Sequence, residues 1–427
     1  MLSLRFRHST IAAVAVAALL LPGAAHAQPQ HPAASEAADF PSREDLKAMT
    51  TAGSYLAARH ASLQRDAAAA ASFYNSALRG DPKNNELLDR AFIATLAEGD
   101  IDRAVGLAER VLAFDKTNRV ARLVMGVRAI KRKNYATAQP NIAQSVRGPI
   151  TDLVATVLSA WASQGAGETG RAIATIDKLT GPDWYPIFKD LHAGLILDAA
   201  GRHKEAGVRF ERAYKLDDSA LGVMDAYARW LSRNKGRDAA LAIYQAFDKK
   251  LARHPLVVES MNQLKAGKKL PLPLDNPQAG AAEALYGIGA SLTRRGGEDL
   301  ALVYLQLALY LQPRHPLALL ALADLYETVK KPPMAIKVYE RVPATSALRR
   351  NAQIHRATNL DATERTEEAI RILREVIAED ASDLEAIVAL GNIERGRKKF
   401  AECAKTYSQA IDVLPEGGKG NWVYYYF

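Results

Sequence analysis

The 427-residue sequence has only one cysteine, Cys403, and only 7% of its residues are aromatic. A single cysteine cannot form an internal disulfide, and it excludes a cysteine-rich zinc or iron–sulfur site within the chain. The sequence also lacks a Walker phosphate loop, a Gly-x-Ser-x-Gly nucleophile elbow and a His-Glu-x-x-His zinc motif. We therefore predict no catalytic residues, no cofactor and no metal site, and expect the protein not to be an enzyme.

One glycine-rich motif is present, because residues 165–170 match the dinucleotide-binding pattern Gly-x-Gly-x-x-Gly. That pattern binds a pyrophosphate only when it follows a strand and opens a helix. Here the preceding residues 153–163 have the pattern of a helix. We therefore interpret these glycines as a turn between two helices.

The charge balance is modest, with a formal net charge of +9 over the whole chain. Aromatic residues are not interleaved with basic residues at the spacing that base stacking requires. The sequence therefore predicts no nucleic-acid partner, although the positive excess suits an acidic partner or an anionic envelope surface.

The N-terminus has the layout of a secretory signal peptide. Arg5 and Arg7 precede an apolar run over residues 11–21, and the small-residue pattern Ala25-His26-Ala27 follows it. Eleven apolar residues are fewer than the roughly 18–20 that a membrane span needs. We therefore predict cleavage after Ala27, a periplasmic location and no integral membrane span in the mature chain. The predicted location also allows association with the outer membrane. Residues 28–50, rich in proline, alanine and serine, are predicted to form a flexible tether.

A period of 34 residues organises most of the remaining chain. Small residues recur in two independent series, and both series contain one and the same longer interval of 61 residues. The second series is the cleaner of the two and consists of Ala70, Ala104, Ala138, Ala172, Ala206, Ala240, Ala301, Ala335, Ala369 and Cys403. Each unit contains two apolar patterns of about 14 residues separated by a polar or glycine turn, which predicts a helical hairpin. A single hairpin cannot bury its apolar face alone, so the units are expected to stack.

The units resemble tetratricopeptide repeats (TPRs). Residues 282–315 carry Leu285, Gly289, Ala301 and Leu305 at the positions of the TPR pattern, and residues 384–417 match it in the same way, with Cys403 in a small-residue position. The resemblance covers about ten units. It implies an all-α fold, a TPR α-solenoid wound as a right-handed superhelix.

The longer interval divides the repeats into two stacks. We predict six TPR repeats over residues 51–254, a proline-rich insertion over 255–281 and four TPR repeats over 282–417. Three prolines within seven residues of the insertion oppose a helix, so we expect a loop or an extended crossover that serves as a connector, a hinge or a binding segment. Residues 418–427 resemble the start of an incomplete further repeat.

In TPR proteins the first helices of the repeats line a concave groove, and the resemblance implies a partner-binding role for polar residues at groove positions. These are Arg229, Arg233, Arg294, Asp324, Glu327, Asn392 and Arg395. Arginine and asparagine side chains there can hold a peptide backbone or carboxylate. Val388 stands where the carboxylate clamp of the co-chaperone members has lysine, so chaperone-tail binding is not expected.

The sequence is thus typical of an exported scaffold or adaptor that binds other proteins or peptides and assembles a complex of the cell envelope. Two alternatives remain open at this point. The chain is the periplasmic TPR portion of a polysaccharide-export or secretion protein whose C-terminal part is missing, or it is a module that binds polysaccharide or cell-wall glycan.

Overall fold

The computed structural model describes residues 45–46, 49–146, 148–293 and 296–414, and these residues form 21 helices and no strand. The predicted all-α solenoid is confirmed. The first stack consists of six antiparallel hairpins formed by α1 (Thr51–Leu63), α2 (Ala67–Gly80), α3 (Asn85–Glu98), α4 (Ile101–Phe114), α5 (Arg119–Lys131), α6 (Tyr135–Ala143), α7 (Pro149–Gly165), α8 (Thr169–Asp177), α9 (Tyr185–Ala199), α10 (His203–Leu216), α11 (Leu221–Asn234) and α12 (Arg237–Asp248).

The helices that follow the first stack continue the same pattern after one single helix. That helix is α13 (Pro255–Lys265). The hairpins after it are formed by α14 (Pro277–Thr293), α15 (Glu298–Leu311), α16 (Pro316–Thr328), α17 (Pro332–Glu340), α18 (Arg349–Ala362), α19 (Thr366–Glu379), α20 (Leu384–Gly396) and α21 (Phe400–Asp412). The glycine-rich residues 165–170 lie on the turn between α7 and α8.

Helix starts in the first stack are set by polar residues that recur with the repeat period. Asp66, Asp100 and Asn134 are spaced 34 residues apart and precede α2, α4 and α6. Each side chain accepts a hydrogen bond from the backbone N–H three residues later, at 3.0–3.2 Å. Because the first N–H groups of a helix have no partner within the helix, such a cap fixes where each second helix begins.

The small residues of both series are buried where the two helices of a hairpin meet. Gly194 in α9 faces Phe210 in α10, and a Cβ atom at Gly194 would lie only 2.7 Å from the Phe210 ring. Cys403 fills the same kind of position in the last hairpin and is 3% exposed. The 34-residue period therefore reflects close packing within each hairpin.

The insertion differs from the predicted loop. Helix α13 begins at Pro255, and α14 begins at Pro277, so only residues 266–276 are an extended connector. Proline is well tolerated at the first position of a helix, because the N–H that it lacks would have no helical partner there. The prolines that do oppose a helix are Pro271 and Pro273.

The hairpin formed by α14 and α15 does not simply extend the first stack in line. It packs against α3, α4, α5, α7 and α9, and most of these are the first helices that line the concave face of the first stack. Gln278 donates a hydrogen bond to the carbonyl oxygen of Ile130 at 3.1 Å, and Lys131 donates one to the carbonyl oxygen of Leu311 at 3.0 Å. The groove of the first stack is therefore largely filled by a later hairpin of the same chain.

A tryptophan that departs from the repeat pattern lies at the centre of this contact. Trp161 of α7 is 1% exposed and packs over Gly280 of α14, where a Cβ atom would lie 2.2 Å from the indole ring. Its Nε1–H donates to Nδ1 of the buried His192 at 3.2 Å. Only a residue without a side chain lets α14 approach the tryptophan so closely.

The apolar core follows this arrangement. One continuous cluster of buried side chains extends from Ala58 to Ala352 and includes both the first stack and the hairpins α14–α15 and α16–α17. The last two hairpins have two smaller clusters, one around Leu360 and Leu373 and one around Cys403 and Tyr407.

The predicted signal peptide, residues 1–27, and the predicted incomplete repeat, residues 418–427, lie outside the described residues, as does most of the tether over 28–50. Within the described ranges, no helix has both the length and the apolar composition needed to cross a membrane.

Candidate partner-binding cleft

A large cavity lies beside α18 and α20, and α13 forms its opposite wall. We call it the second-stack cleft. Its volume is about 1100 Å³. It is lined by Leu251, Ala252, Arg253, His254, Pro255, Val258, Glu259, Asn262, Gln263, Ala347, Arg350, Asn351, Asp380, Ser382, Asp383, Leu384, Glu385 and Val388.

Apolar side chains are presented by both walls of the cleft. Val258 of α13 faces the cleft from one wall, and Leu384 and Val388 of α20 face it from the other. All three side chains are only half-buried, and Leu251 at the rim is 52% exposed. A ligand that covers these side chains would gain hydrophobic free energy of about 25 cal/mol for each Å² removed from water.

Arg350 is held in the cleft by two carboxylates. Its guanidinium group donates two hydrogen bonds to Asp383, the N-cap residue of α20, and one to Glu385 at 2.9 Å. The hydrogen bonds to Asp383 raise the pKa of Arg350 above its ordinary value. The guanidinium is therefore a fixed, fully charged donor whose position is set by the start of the next repeat.

Two buried polar atoms of the cleft have no hydrogen-bond partner among the described residues, Nδ1 of His254 and Oδ1 of Asn351. Burial lowers the pKa of His254, so its imidazole is neutral at pH 7. A buried polar atom without a partner costs free energy, and a ligand N–H that pairs with it recovers that cost. Neither atom is exposed as it stands, so each can accept a hydrogen bond from a bound segment once its side chain turns towards the cleft.

The charges that line the cleft have an acidic excess, although the chain as a whole is basic. Four carboxylates, Asp380, Asp383, Glu259 and Glu385, outnumber two guanidinium groups, which gives a net charge of −2 with His254 neutral. The electrostatic potential of the cleft therefore favours a neutral or basic ligand over an acidic one.

A polar cluster continues the concave face beside the cleft. The Tyr339 hydroxyl lies 2.9 Å from Asp324 and 3.0 Å from Glu327, and the Nδ2 of Asn359 donates to Glu327 at 2.5 Å. The His355 ring stacks on Tyr339 at 5.7 Å between centroids, with Nδ1 3.6 Å from Glu327. Hydrogen bonding to Glu327 raises the pKa of His355, while burial raises the pKa of Tyr339.

The predicted groove residues of the second stack lie on this face but are already paired. Asp324 and Glu327 belong to the polar cluster. Asn392 accepts a hydrogen bond from the Tyr407 hydroxyl at 2.9 Å, and Arg395 donates to Asn392 at 3.4 Å. Asn392 lies one helical turn beyond Val388, so these residues extend the second-stack cleft along α20.

The two predicted groove residues of the first stack, Arg229 and Arg233, are also paired within the chain. Arg229 donates to Asp225 at 2.6 Å. Arg233 donates to Asp198 and to the carbonyl oxygen of Pro271 at 2.9 Å, so it fixes the connector on the first stack. Arg294 lies outside the described residues. Of the six predicted residues that the structure describes, Arg229 and Arg233 lie in the first stack and the other four in the second, and none lines the second-stack cleft.

None of the residues that line the cleft was predicted as a site residue, and the ones missed include the polar residues His254, Arg350 and Asn351. His254 is the last residue before the predicted insertion and the N-cap residue of α13, a helix that the 34-residue period does not predict. A helical signal was nevertheless present, because Val257, Met261 and Leu264 are spaced as one face of a helix, and all three are buried or nearly so.

Comparison with known proteins gives structural likeness only. No protein-family model matches the chain, and no curated protein matches it. A MamA fragment (residues 41 to the end) from Desulfovibrio magneticus RS-1 is similar over 46% of this chain and 95% of its own, at 17% identity and a TM-score of 0.29. Yeast Tom70 is similar over 88% and 94%, at 11% identity and 0.30, and the Cut9–Hcn1 assembly of the APC/C over 90% and 96%, at 12% identity and 0.32.

The fold is a TPR-type α-solenoid. Because every TM-score above is below 0.5, this assignment depends on the hairpins of this chain, with their 34-residue period and their buried small residues. Solenoids of stacked helical hairpins are interaction scaffolds whose concave surfaces bind partners.

Proposed function

We propose that this protein is a non-catalytic scaffold of the bacterial cell envelope, and that it binds an extended segment of a partner protein in the second-stack cleft. The observation that carries the proposal is the pair of unpartnered buried polar atoms, His254 Nδ1 and Asn351 Oδ1, between half-buried apolar walls. An extended peptide offers backbone N–H groups to such acceptors and side chains to such walls.

The fixed guanidinium of Arg350 supplies the complementary donor. A peptide backbone carries alternating N–H and C=O groups, so a site that binds it in one register needs acceptors and a donor together. Val258 and Val388 then cover side chains of the bound segment, and the acidic excess selects segments without acidic residues. The polar cluster around Glu327 provides a continuation of the same surface for longer segments.

The envelope setting is supported by the sequence alone. The basic residues, the short apolar run and the Ala25-His26-Ala27 pattern are those of an exported protein. We propose a mature chain beginning at Gln28 in the periplasm, with other envelope proteins as partners. Fractionation of cells followed by N-terminal sequencing tests this, and a chain that retains Met1 in the cytoplasm would contradict it.

The binding proposal is tested by placing a photo-activatable amino acid at Val388 within the cleft and, separately, at Val208. Val208 is 56% exposed on α10 and lies outside the cleft, so it is a matched control of the same residue type. We expect a discrete crosslinked partner from position 388 and none from position 208.

Two further variants assign the crosslink to the cleft itself. Asn351→Leu removes one of the unpartnered atoms without opening a cavity, and it should reduce the crosslink yield from position 388 several-fold while the melting temperature stays within a few degrees. Equal crosslinking from positions 388 and 208, or a yield that is unchanged by Asn351→Leu, would contradict the proposal.

A further inference from the structure

A second cavity, separate from the second-stack cleft, lies between α2–α3 of the first stack and α15–α16. We call it the acidic-rimmed pocket. It exists because the hairpin α14–α15 fills the first-stack groove over the middle repeats and leaves space beside the first two. Its volume is about 600 Å³, within the range of small ligand sites. Its lining includes Ala70, Ile93, Ala97, Leu302, Val303 and Val329.

The interior of this pocket is apolar and incompletely covered. Ile93 of α3 is 38% exposed, and Leu302 and Val303 of α15 are only half-buried. Leu325 and Tyr326 of α16 close the far wall. Apolar side chains thus converge from both stacks on one space that no described side chain fills, which is the arrangement of a pocket for an apolar anchor.

The wall positions are fixed by contacts between distant parts of the chain. Gln306 of α15 donates to the carbonyl oxygens of Ala97 and Glu98 at 3.3 and 3.4 Å, and to the Tyr326 hydroxyl at 3.2 Å. These bonds join α3, α15 and α16, which carry most of the lining. The pocket is therefore preorganised, and binding does not have to order its walls.

The rim carries a strong acidic excess. Five carboxylates and two guanidinium groups line the pocket, which gives a net charge of −3 in a protein whose overall charge is +9. Arg90 is neutralised locally by Glu86, to which it donates at 2.9 and 3.0 Å. Glu298 and Asp299, in the first turn of α15, form no ion pair with any described residue.

We propose that the acidic-rimmed pocket binds a segment of a partner protein in which a large apolar side chain, such as tryptophan or leucine, stands next to lysine or arginine. The apolar anchor enters between Ile93 and Leu302, and the cation lies against Glu298 and Asp299. Charge complementarity selects this class of segment against acidic ones. The proposal does not depend on the second-stack cleft, because the two cavities share no residue.

The test uses methyl-labelled protein and three synthetic tetrapeptides with blocked ends: Lys-Trp-Leu-Lys, Glu-Trp-Leu-Glu and Lys-Ser-Gly-Lys. Methyl NMR signals of Ile93, Leu302 and Val303 report the acidic-rimmed pocket, and those of Val258 and Val388 report the cleft. We expect the first peptide to shift the pocket methyls in a saturable way, with at least tenfold higher affinity than either of the other two peptides.

Charge variants test whether the carboxylates of the rim bind the basic side chains of the peptide. Glu298→Lys combined with Asp299→Lys should weaken the basic peptide at least tenfold, and the neutral pair Glu298→Gln with Asp299→Asn should weaken it to a smaller extent without altering the fold. Glu402→Lys is the control, since Glu402 is also a first-turn acid, in α21, and lies outside the pocket. It should change the affinity less than twofold.

Several outcomes would overturn the proposal. These are unshifted pocket methyls at millimolar peptide, equal affinity for the basic and the acidic peptide, and pocket methyls that shift with protein concentration alone, which would indicate that a second copy of the chain occupies the pocket. Shifts confined to Val258 and Val388 would overturn it while leaving the proposed function intact. The opposite result is a loss of crosslinking at position 388 while peptide binding to the acidic-rimmed pocket is retained. That result would contradict the proposed function and leave the pocket proposal intact.

Discussion

The contact of His192 with Trp161 predicts a specific loss of stability in acid. His192 is 2% exposed, and its burial lowers the pKa from 6.5 to about 4, opposed in part by the charge of Glu283. In the unfolded chain the imidazole has its ordinary pKa, so the unfolded state binds the proton more readily. Because the folded-state pKa lies below that of the unfolded chain, the fold has its full stability above pH 6.5 and loses stability as the pH falls towards 4.

The magnitude follows from this difference in pKa. Between pH 8 and pH 5 the folded state loses about 2 kcal/mol through this one group, and by pH 4 it loses about 3 kcal/mol. Protonation at Nδ1 also abolishes the acceptor for the Trp161 Nε1–H. The loss therefore falls on the contact between α7 and α9, at the tryptophan against which Gly280 of α14 packs.

The assay compares wild-type protein with His192→Asn, whose side-chain oxygen can still accept from Trp161 but does not titrate. Urea unfolding, followed by tryptophan fluorescence, gives the free energy of unfolding at pH 8, 6.5 and 5. Carboxylates titrate in both proteins, so the quantity of interest is the difference between them, which should change by about 2 kcal/mol from pH 8 to pH 5. Parallel pH curves for the two proteins would refute the reasoning.

Three further predictions concern other contacts. Gly280→Ala places a Cβ atom 2.2 Å from the Trp161 ring and should lower the free energy of unfolding by about 1–3 kcal/mol. The control is Gly287→Ala in the same helix, which meets only an ordinary contact at 3.7 Å and should be neutral or stabilising. Equal melting temperatures for the two variants would contradict this prediction. The pKa of His355 is raised by Glu327, so this pair stabilises the fold below pH 6.5, and the stabilisation is lost as the pH rises through the folded-state pKa. NMR titration should show a lower His355 pKa in Glu327→Gln than in the wild type. An unchanged pKa would count against the pairing. The buried thiol of Cys403 should react with a thiol reagent only when the last hairpin opens, so labelling as fast as in unfolded protein would be inconsistent with its packing.

The hairpins could be predicted from sequence because each one is a local structure with a local signal. Small residues at a fixed period, followed by bulky residues four positions later, record the packing of two helices that are adjacent in sequence. The same signal carries no information about contacts between distant repeats, so the docking of α14 and α15 in the first-stack groove was not predicted. Two clues were present: Trp161 broke the pattern, and residues 300–311 are apolar on nearly every face, which is typical of a helix buried on all sides.

The candidate site was predicted only in part, for a related reason. Groove positions were carried over repeat by repeat, and on α20 they lie beside the cleft, as Asn392 does. Residues contributed by the insertion cannot be inferred from a repeat register, because α13 has no counterpart in the other units. The first-stack arginines were expected to face a partner, yet Arg233 binds the chain's own connector at Pro271. An arginine in a groove position indicates that an acceptor is nearby, not which chain supplies it.

The docked hairpin also changes how the protein should unfold. A linear solenoid behaves as a one-dimensional chain in which each unit is stabilised only by its neighbours, and it can unravel from either end. Here α14 and α15 connect the seventh repeat to the second, third, fourth and fifth, so the first part of the molecule is closed into a loop that must open as one cooperative unit. The last two hairpins, with their separate small cores, remain a linear arm. Native-state hydrogen exchange should therefore resolve two classes of amide, a slowly exchanging ring and a faster arm that carries one wall of the second-stack cleft.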